Sequence, residues 1–266
     1  MNWFFLAFAS ALLSAAASIT EKKALFGMRA LDFSVLLALL NAVLALPLLF
    51  AMEFSGVDST ALLVLAGKNL LGSLAFLCVM MAIRNLELSG ALPMLVLTPG
   101  LVALFAFFFL GESLSSTELA GVGLLMVGTY ILEMRSGDAL APLRIFIVSR
   151  SHYPLIAALL LFTVTSVLDR YLLTDLALRP VPMMAFQSWF TAGYFLLFAL
   201  IAQRRPASLR AALTGNLRWI FIVAVLTFGY RFTQIEAVAL APVALVLAVK
   251  RLSVFIGAML GGRLFR

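Results

Sequence analysis

The amino-acid sequence predicts an all-α, polytopic membrane protein: nine transmembrane helices in two inverted repeats, the second incomplete. Three observations predict it. Hydrophobic residues fill 64% of the 266 positions and charged residues 12%, with a mean hydropathy of +1.12, which leaves too little polar surface to cover a water-soluble globule. The apolar residues fall in runs of about 17–25, the length a spanning helix needs, without the roughly ten-residue alternation of a barrel strand. Finally, Ser18, Glu21 and Lys22 close one apolar segment as S-x-x-E-K, and Ser166, Asp169 and Arg170 close another as S-x-x-D-R. Their common offset suggests a duplication, and five helices per copy would turn the second copy over in the membrane.

The spans fall at 3–20, 33–52, 61–83, 91–110, 118–133, 154–173, 183–202, 217–236 and 239–262, with ends placed to about two to four residues. The first lacks a preceding basic stretch and is followed by Glu21, Lys22 and Lys23, so it reads as a mature helix and not as a signal peptide. The second and fourth are apolar runs, and the third carries Lys68. The fifth is the shortest. Its uncharged stretch, Leu119 to Leu132, is about 21 Å long and must borrow flanking residues or thin the bilayer. The sixth ends on Asp169 and Arg170, the seventh carries Phe186, Trp189 and Phe190, the eighth Arg231, and the ninth Lys250 and Arg251. The longest polar connections are 134–153 and 203–217. The first divides the chain into a repeat at 1–135, a connection at 136–153 and a second repeat at 154–266.

Loop charges give the orientation. Lys22, Lys23, Arg29, Arg84, Arg135, Arg144, Arg150, Arg204, Arg205, Arg210, Arg218, Arg263 and Arg266 follow odd-numbered spans, against Arg170 and Arg179 on the other side. That bias places the odd connections in the cytoplasm and the amino terminus outside. It also accounts for the net charge of +7 without a nucleic-acid partner. Cys78 stands alone, so cysteines assemble no disulfide framework or zinc site.

Pro99 is followed by Gly111 and Glu112, then by Gly121, Gly123 and Gly128. In the second half Ala241-Pro242-Val243 leads through Lys250-Arg251-Leu252-Ser253 to Gly261-Gly262. Over essentially its whole length the chain resembles the drug/metabolite transporter superfamily, EamA type. The resemblance implies two EamA-like repeats, a small-molecule substrate, no cofactor, residence in the cell membrane (a bacterial inner membrane) and transport by rocking of two halves. It also implies a tenth helix, which the chain lacks; a truncated gene or fragment is the expectation.

Four cations fall within spans: Lys68, Arg231, Lys250 and Arg251. Each costs about 2.5–3.5 kcal/mol at a helix centre facing lipid, and no acid lies near the middle of an expected span. A hydrated cavity that draws an anion or carboxylate reconciles the two. Alternatives stay open: Lys68 snorkelling to the outer interface or bonding backbone carbonyls, and Arg231 held in a structural network with Tyr230 and Gln234. Lys250 and Arg251 stand about 100° apart on a helix, so they are not expected to share one cavity. The pairs Glu21–Lys22 and Asp169–Arg170 are expected to be end anchors or gating contacts. Asn41, Asn69, Gln187, Gln234, Thr98, Thr227 and Tyr230 line a pathway or glue helices together. Phe186, Trp189 and Phe190 face an apolar part of a substrate, lipid or packed neighbours. Gly257 and Gly261 form G-x-x-x-G; close packing is favoured, and a homodimer stays open.

An enzyme would need another constellation. The sequence holds no G-x-x-x-x-G-K-[ST] loop, no H-E-x-x-H site and no paired-carboxylate metal motif, and His152 has no catalytic partner nearby. A secondary carrier of a small metabolite is the expectation, with binding or translocation of an anionic lipid as a rival. Export of hydrophobic cations is disfavoured for want of a membrane-embedded acid.

Overall fold

The computed structural model describes residues 2–25, 28–52, 57–85, 97–133, 153–204, 206–254 and 256–257. They form helices α1 (Trp3–Leu25), α2 (Ala30–Leu44), α3 (Leu46–Ala51), α4 (Ser59–Asn85), α5 (Thr98–Leu110), α6 (Ser116–Glu133), α7 (Tyr153–Thr174), α8 (Pro180–Ile201), α9 (Pro206–Leu240) and α10 (Val243–Lys250). The protein is an all-helical, polytopic membrane protein. Among the described residues, six helical stretches are long and apolar enough to cross a bilayer: α1, α2 with α3, α4, α7, α8 and Thr214–Leu240 of α9. α5 and α6 are shorter apolar helices. The connection at 136–152, residues 91–96 of the expected fourth span, Gly261, Gly262 and the last arginines lie outside the described residues.

Local sequence sets the helix limits. Pro47 has no N–H to return to Val43, and the expected second span breaks at Ala45 into α2 and α3. α5 ends where Gly111 takes a left-handed φ of 65° and its N–H reaches the Ala106 carbonyl, a conformation that costs a residue with a Cβ. Ser115 and Glu118 then start α6 with reciprocal bonds: Glu118 Oε2 accepts from the Ser115 N–H at 2.8 Å, and Ser115 Oγ accepts from the Glu118 N–H at 3.3 Å. Pro180 opens α8 and Pro242 stands just before α10, positions where a missing N–H costs no helical bond.

Two expected limits need correction. α1 continues past residue 20 to Leu25, because Glu21 is accommodated inside the protein and does not mark a membrane surface. The expected ninth span does not begin at 239: α9 runs through Leu240, Pro242 separates it from α10, and the helix is interrupted at Arg251.

Helices of the first half pack chiefly on helices of the second. α1 lies against α9 and α10, α7 against α4 and α5, α2 against α8 and α9, and α8 against α4. The α1–α9 approach is close: Ser10 Oγ donates to the Tyr230 carbonyl at 2.8 Å, and a Cβ on Gly229 would come within 3.2 Å of Leu13. One apolar cluster joins Phe33, Met80, Leu159 and Ile220, and another joins Leu6, Val102, Val167 and Val246. The outer surface is apolar as well. Phe50, Leu63, Phe108, Leu124 and Leu200 are more than two-thirds exposed, the arrangement expected where lipid is the solvent.

Candidate functional site

The helices surround a central cavity of about 270 Å³, with walls from α1, α2, α4, the start of α5, α7, α8, α9 and the chain from α10 to Gly257. That volume lies near the lower end for small-molecule pockets. All eight residues expected to contact substrate line it: Lys68, Asn69, Gln187, Tyr230, Arg231, Gln234, Lys250 and Arg251. So do Asn41, Thr98 and Thr227.

A polar network runs through these side chains. Lys68 Nζ is 2.6 Å from Asp169 Oδ1 and donates to Gln187 Oε1. The same Gln187 oxygen accepts from Arg231 Nη2 at 3.0 Å, and that nitrogen is 3.8 Å from Asp169 Oδ2. Gln234 Oε1 accepts from Arg231 Nη1 at 3.5 Å and from Lys250 Nζ at 2.5 Å. The Lys250 ammonium also sits 4.4 Å from the Tyr230 ring centroid, a cation–π distance. Each glutamine thus places one neutral oxygen between two cations. An amide NH₂ in that place could only oppose them.

Several expectations change. Lys68 does not snorkel: it is 2% exposed and held by Asp169 and Gln187. No acid lies near the middle of a described span, yet Glu21 and Asp169, near the ends of α1 and α7, are 4% and 5% exposed and line the cavity. Their sequence neighbours Lys22 and Arg170 are not lining residues, because consecutive positions on a helix point about 100° apart. Arg170 instead binds Glu112 Oε1 at 2.5 Å and the Val238 carbonyl at 2.6 Å, tying the loop after α5 to the end of α9. Lys250 and Arg251 both line the cavity despite their angular separation; the break in the helix at Arg251 and the reach of both side chains allow it. Phe186 and Phe190 pack in an apolar cluster, Trp189 is 44% exposed, and the aromatic lining comes instead from Phe76, Phe162, Phe195 and Phe228. Gly257 faces the cavity as well.

Sequence reasoning missed the cavity serines Ser14, Ser34, Ser73 and Ser188. A signal was present. Ser14, Ser18 and Glu21 recur at intervals of four and three on α1, as do Met184, Gln187, Ser188 and Thr191 on α8, so each set occupies one helical face. Outside the cavity, Asp32 in the first turn of α2 accepts from Nε of Arg204, just after α8, at 2.8 Å. That contact raises the Arg204 pKa.

No curated protein matches the chain. A crystal structure of a protein resembles it over 99% of both chains, at 16% identity and a TM-score of 0.57, a likeness of fold. The model of the EamA-like transporter family matches residues 1–134, half of the chain. The chain belongs to the EamA-like transporter family.

Proposed function

We propose that this small-molecule transporter carries an anionic or carboxylate-bearing metabolite across the cell membrane by alternating access of two inverted repeats. One observation carries the reading: the central cavity holds Lys68, Arg231, Lys250 and Arg251 against two carboxyls, Glu21 and Asp169. Asp169 is engaged by Lys68 and approached by Arg231. The groups bound by Lys250, Gln234 Oε1 and the Tyr230 ring, carry no formal charge. An incoming carboxylate therefore meets an excess of positive charge in a low-dielectric site, where a charge–charge contact is worth far more than in water.

The two-repeat arrangement is supported by the packing. Exchanging α1 with α7, α2 with α8, α4 with α9 and α5 with α10 turns the α1–α9 contact into α7–α4. The same exchange turns α1–α10 into α7–α5 and α2–α9 into α8–α4, and all of these contacts occur. Two repeats packed in this way around a central site are the arrangement from which rocking transport follows. The charge bias of the loops supports an amino terminus on the outside.

The test is uptake into proteoliposomes loaded with buffer alone, comparing organic acids with hydrophobic cations of similar size. Saturable uptake of acids, reduced by Lys250→Ala and Arg251→Ala, is expected. Saturable movement of cations without acids would replace this reading with cation export, for which Glu21 and Asp169 would supply the embedded acids. Unchanged acid uptake with lost binding of anionic lipid in the same variants would favour the lipid-handling reading.

A further inference from the structure

Among the polar atoms of the cavity wall whose bonding capacity no described residue takes up, three stand on α2 and α4: Asn41 Oδ1 on α2, and Asn69 Nδ2 and Ser73 Oγ on α4. Asn69 and Ser73 are 3% and 2% exposed, and their separation of four residues puts them on one stripe of the helix. α2 and α4 pack on each other, so the three groups stand on two neighbouring helices of the cavity wall. Ser73 differs from three other buried hydroxyls. Those of Ser34, Thr163 and Ser188 donate to the carbonyl four residues back, at 2.9, 2.9 and 2.8 Å, and are satisfied by their own helices.

A buried polar atom left without a partner costs about 1–3 kcal/mol. Three on two neighbouring helices of a cavity wall suit groups supplied by a solute. Their chemistry narrows those groups. Asn41 Oδ1 only accepts, Asn69 Nδ2 only donates, and Ser73 Oγ does both. A carboxylate cannot donate to the first, an ammonium cannot accept from the second, and a hydrocarbon does neither. A hydroxyl does both.

We infer that the solute is a polyhydroxylated anion, with its charged end at Lys250 and Arg231 and its hydroxyls on Asn41, Asn69 and Ser73. The inference rests on the anion reading above and narrows it. Phe76, Phe162 and Phe195 line the cavity too and offer apolar surface to the solute's carbon chain.

Calorimetric binding to the purified full chain in detergent, with gluconate, hexanoate and sorbitol as probes, tests it. Gluconate and hexanoate share a six-carbon chain and one carboxylate, and sorbitol keeps the hydroxyls without the charge. Gluconate is expected to bind at least about tenfold more tightly than either of the others. Ser73→Ala is expected to cut the gluconate-to-hexanoate ratio about three- to tenfold, with no fall in the thermal midpoint of the ligand-free protein, since it removes an unpaired hydroxyl. Asn69→Ala should narrow the ratio in the same direction, and if it fails to fold Ser73→Ala decides alone. Hexanoate binding as tightly as gluconate, with Lys250→Ala weakening both, would overturn the polyol inference and leave the anion reading standing. Sorbitol matching gluconate, or binding of none of the three, would overturn the inference together with its charged end.

Discussion

Lys68 of α4 and Asp169 of α7 form an ion pair at 2.6 Å with side chains 2% and 6% exposed, and Arg231 Nη2 approaches the other carboxylate oxygen at 3.8 Å. Asp169 is thus shared by two cations, whereas the other group bound to Lys68 Nζ is the neutral Gln187 oxygen. Removing one partner of a buried pair costs about 3–5 kcal/mol. Asp169→Asn should reach that range, because it strips the carboxylate from both Lys68 and Arg231. Lys68→Met should cost less, since Arg231 still faces Asp169, and Lys68→Met with Asp169→Leu should recover much of the loss. Thermal unfolding in nanodiscs measures all three; equal losses in the two single variants would mean that Arg231 does not share the charge.

The turn between α5 and α6 has a separable backbone requirement. A Cβ on Gly111 would meet nothing within 4 Å, yet its φ is 65°. Gly111→Ala should therefore destabilise by about 1–2 kcal/mol through backbone conformation alone, and Gly111→Asn by less, because Asn tolerates the left-handed region. Ser115→Ala should cost about 1 kcal/mol by removing the cap of α6. Thermal midpoints of the three variants check the ranking, and an Asn variant as damaged as Ala would sink the backbone explanation.

How much of this was legible in the sequence depended on what set each feature. Span positions were readable because a bilayer dictates run length, and the cations Lys68, Arg231, Lys250 and Arg251 were readable because lipid excludes them. The role of Glu21 was not. Taking the charge that ends an apolar run as a boundary is sound for a helix facing lipid, but the face of α1 that bears Glu21 faces a cavity. The split between Asp169 and Arg170 follows from helix geometry, yet which of the two turns inward depends on where α4 and α9 stand. Gln187 owes its place between Lys68 and Arg231 to the meeting of three helices distant in sequence, which no local pattern records.

Asp58 supplies a pH dependence outside the membrane spans. It precedes α4 and accepts from the Thr60 N–H at 3.2 Å. Bonding from the Thr60 side chain, opposed by desolvation and joined by the backbone of Thr60 and Ser59 and the Ser59 hydroxyl, holds its carboxyl below the ordinary value of 3.8. A carboxyl depressed in the folded state stabilises it above the unfolded pKa and loses that contribution as pH falls through the folded value. The start of α4 should therefore loosen below about pH 3.8. Asp58→Asn, which keeps a capping oxygen without the charge, should flatten this acid limb. Amide exchange at Thr60 and Ala61 from pH 6 to 2 measures it; the same acid limb in the variant would assign the effect to another carboxyl.

Arg170 is a bridge that lysine cannot replace. Its guanidinium meets Glu112 Oε1 and the Val238 carbonyl at once, at 2.5 and 2.6 Å, and an ammonium cannot reproduce that fork. Both ion-paired side chains are 16% exposed, so the contact is only partly screened. Arg170→Lys should lose about 1–3 kcal/mol and raise hydrogen exchange across residues 111–115. Retention of wild-type exchange there would mean that the capped turn is held by α6 alone.

Gln234 separates stability from solute binding. Its oxygen lies between Arg231 and Lys250, two cations kept apart by a group with no formal charge. Gln234→Glu preserves the shape and both contacts while adding a carboxylate where the cations converge. Charge-assisted bonds are roughly twice as strong as neutral ones, so the thermal midpoint should rise. The new carboxylate also occupies the positive charge that the proposed anion would use, so acid uptake should fall by about tenfold or more. A merely structural Gln234 predicts the first change without the second. Raised stability with undiminished uptake would therefore remove Arg231 and Lys250 from the solute's path and leave Lys68 and Arg251 as the cavity's cationic candidates.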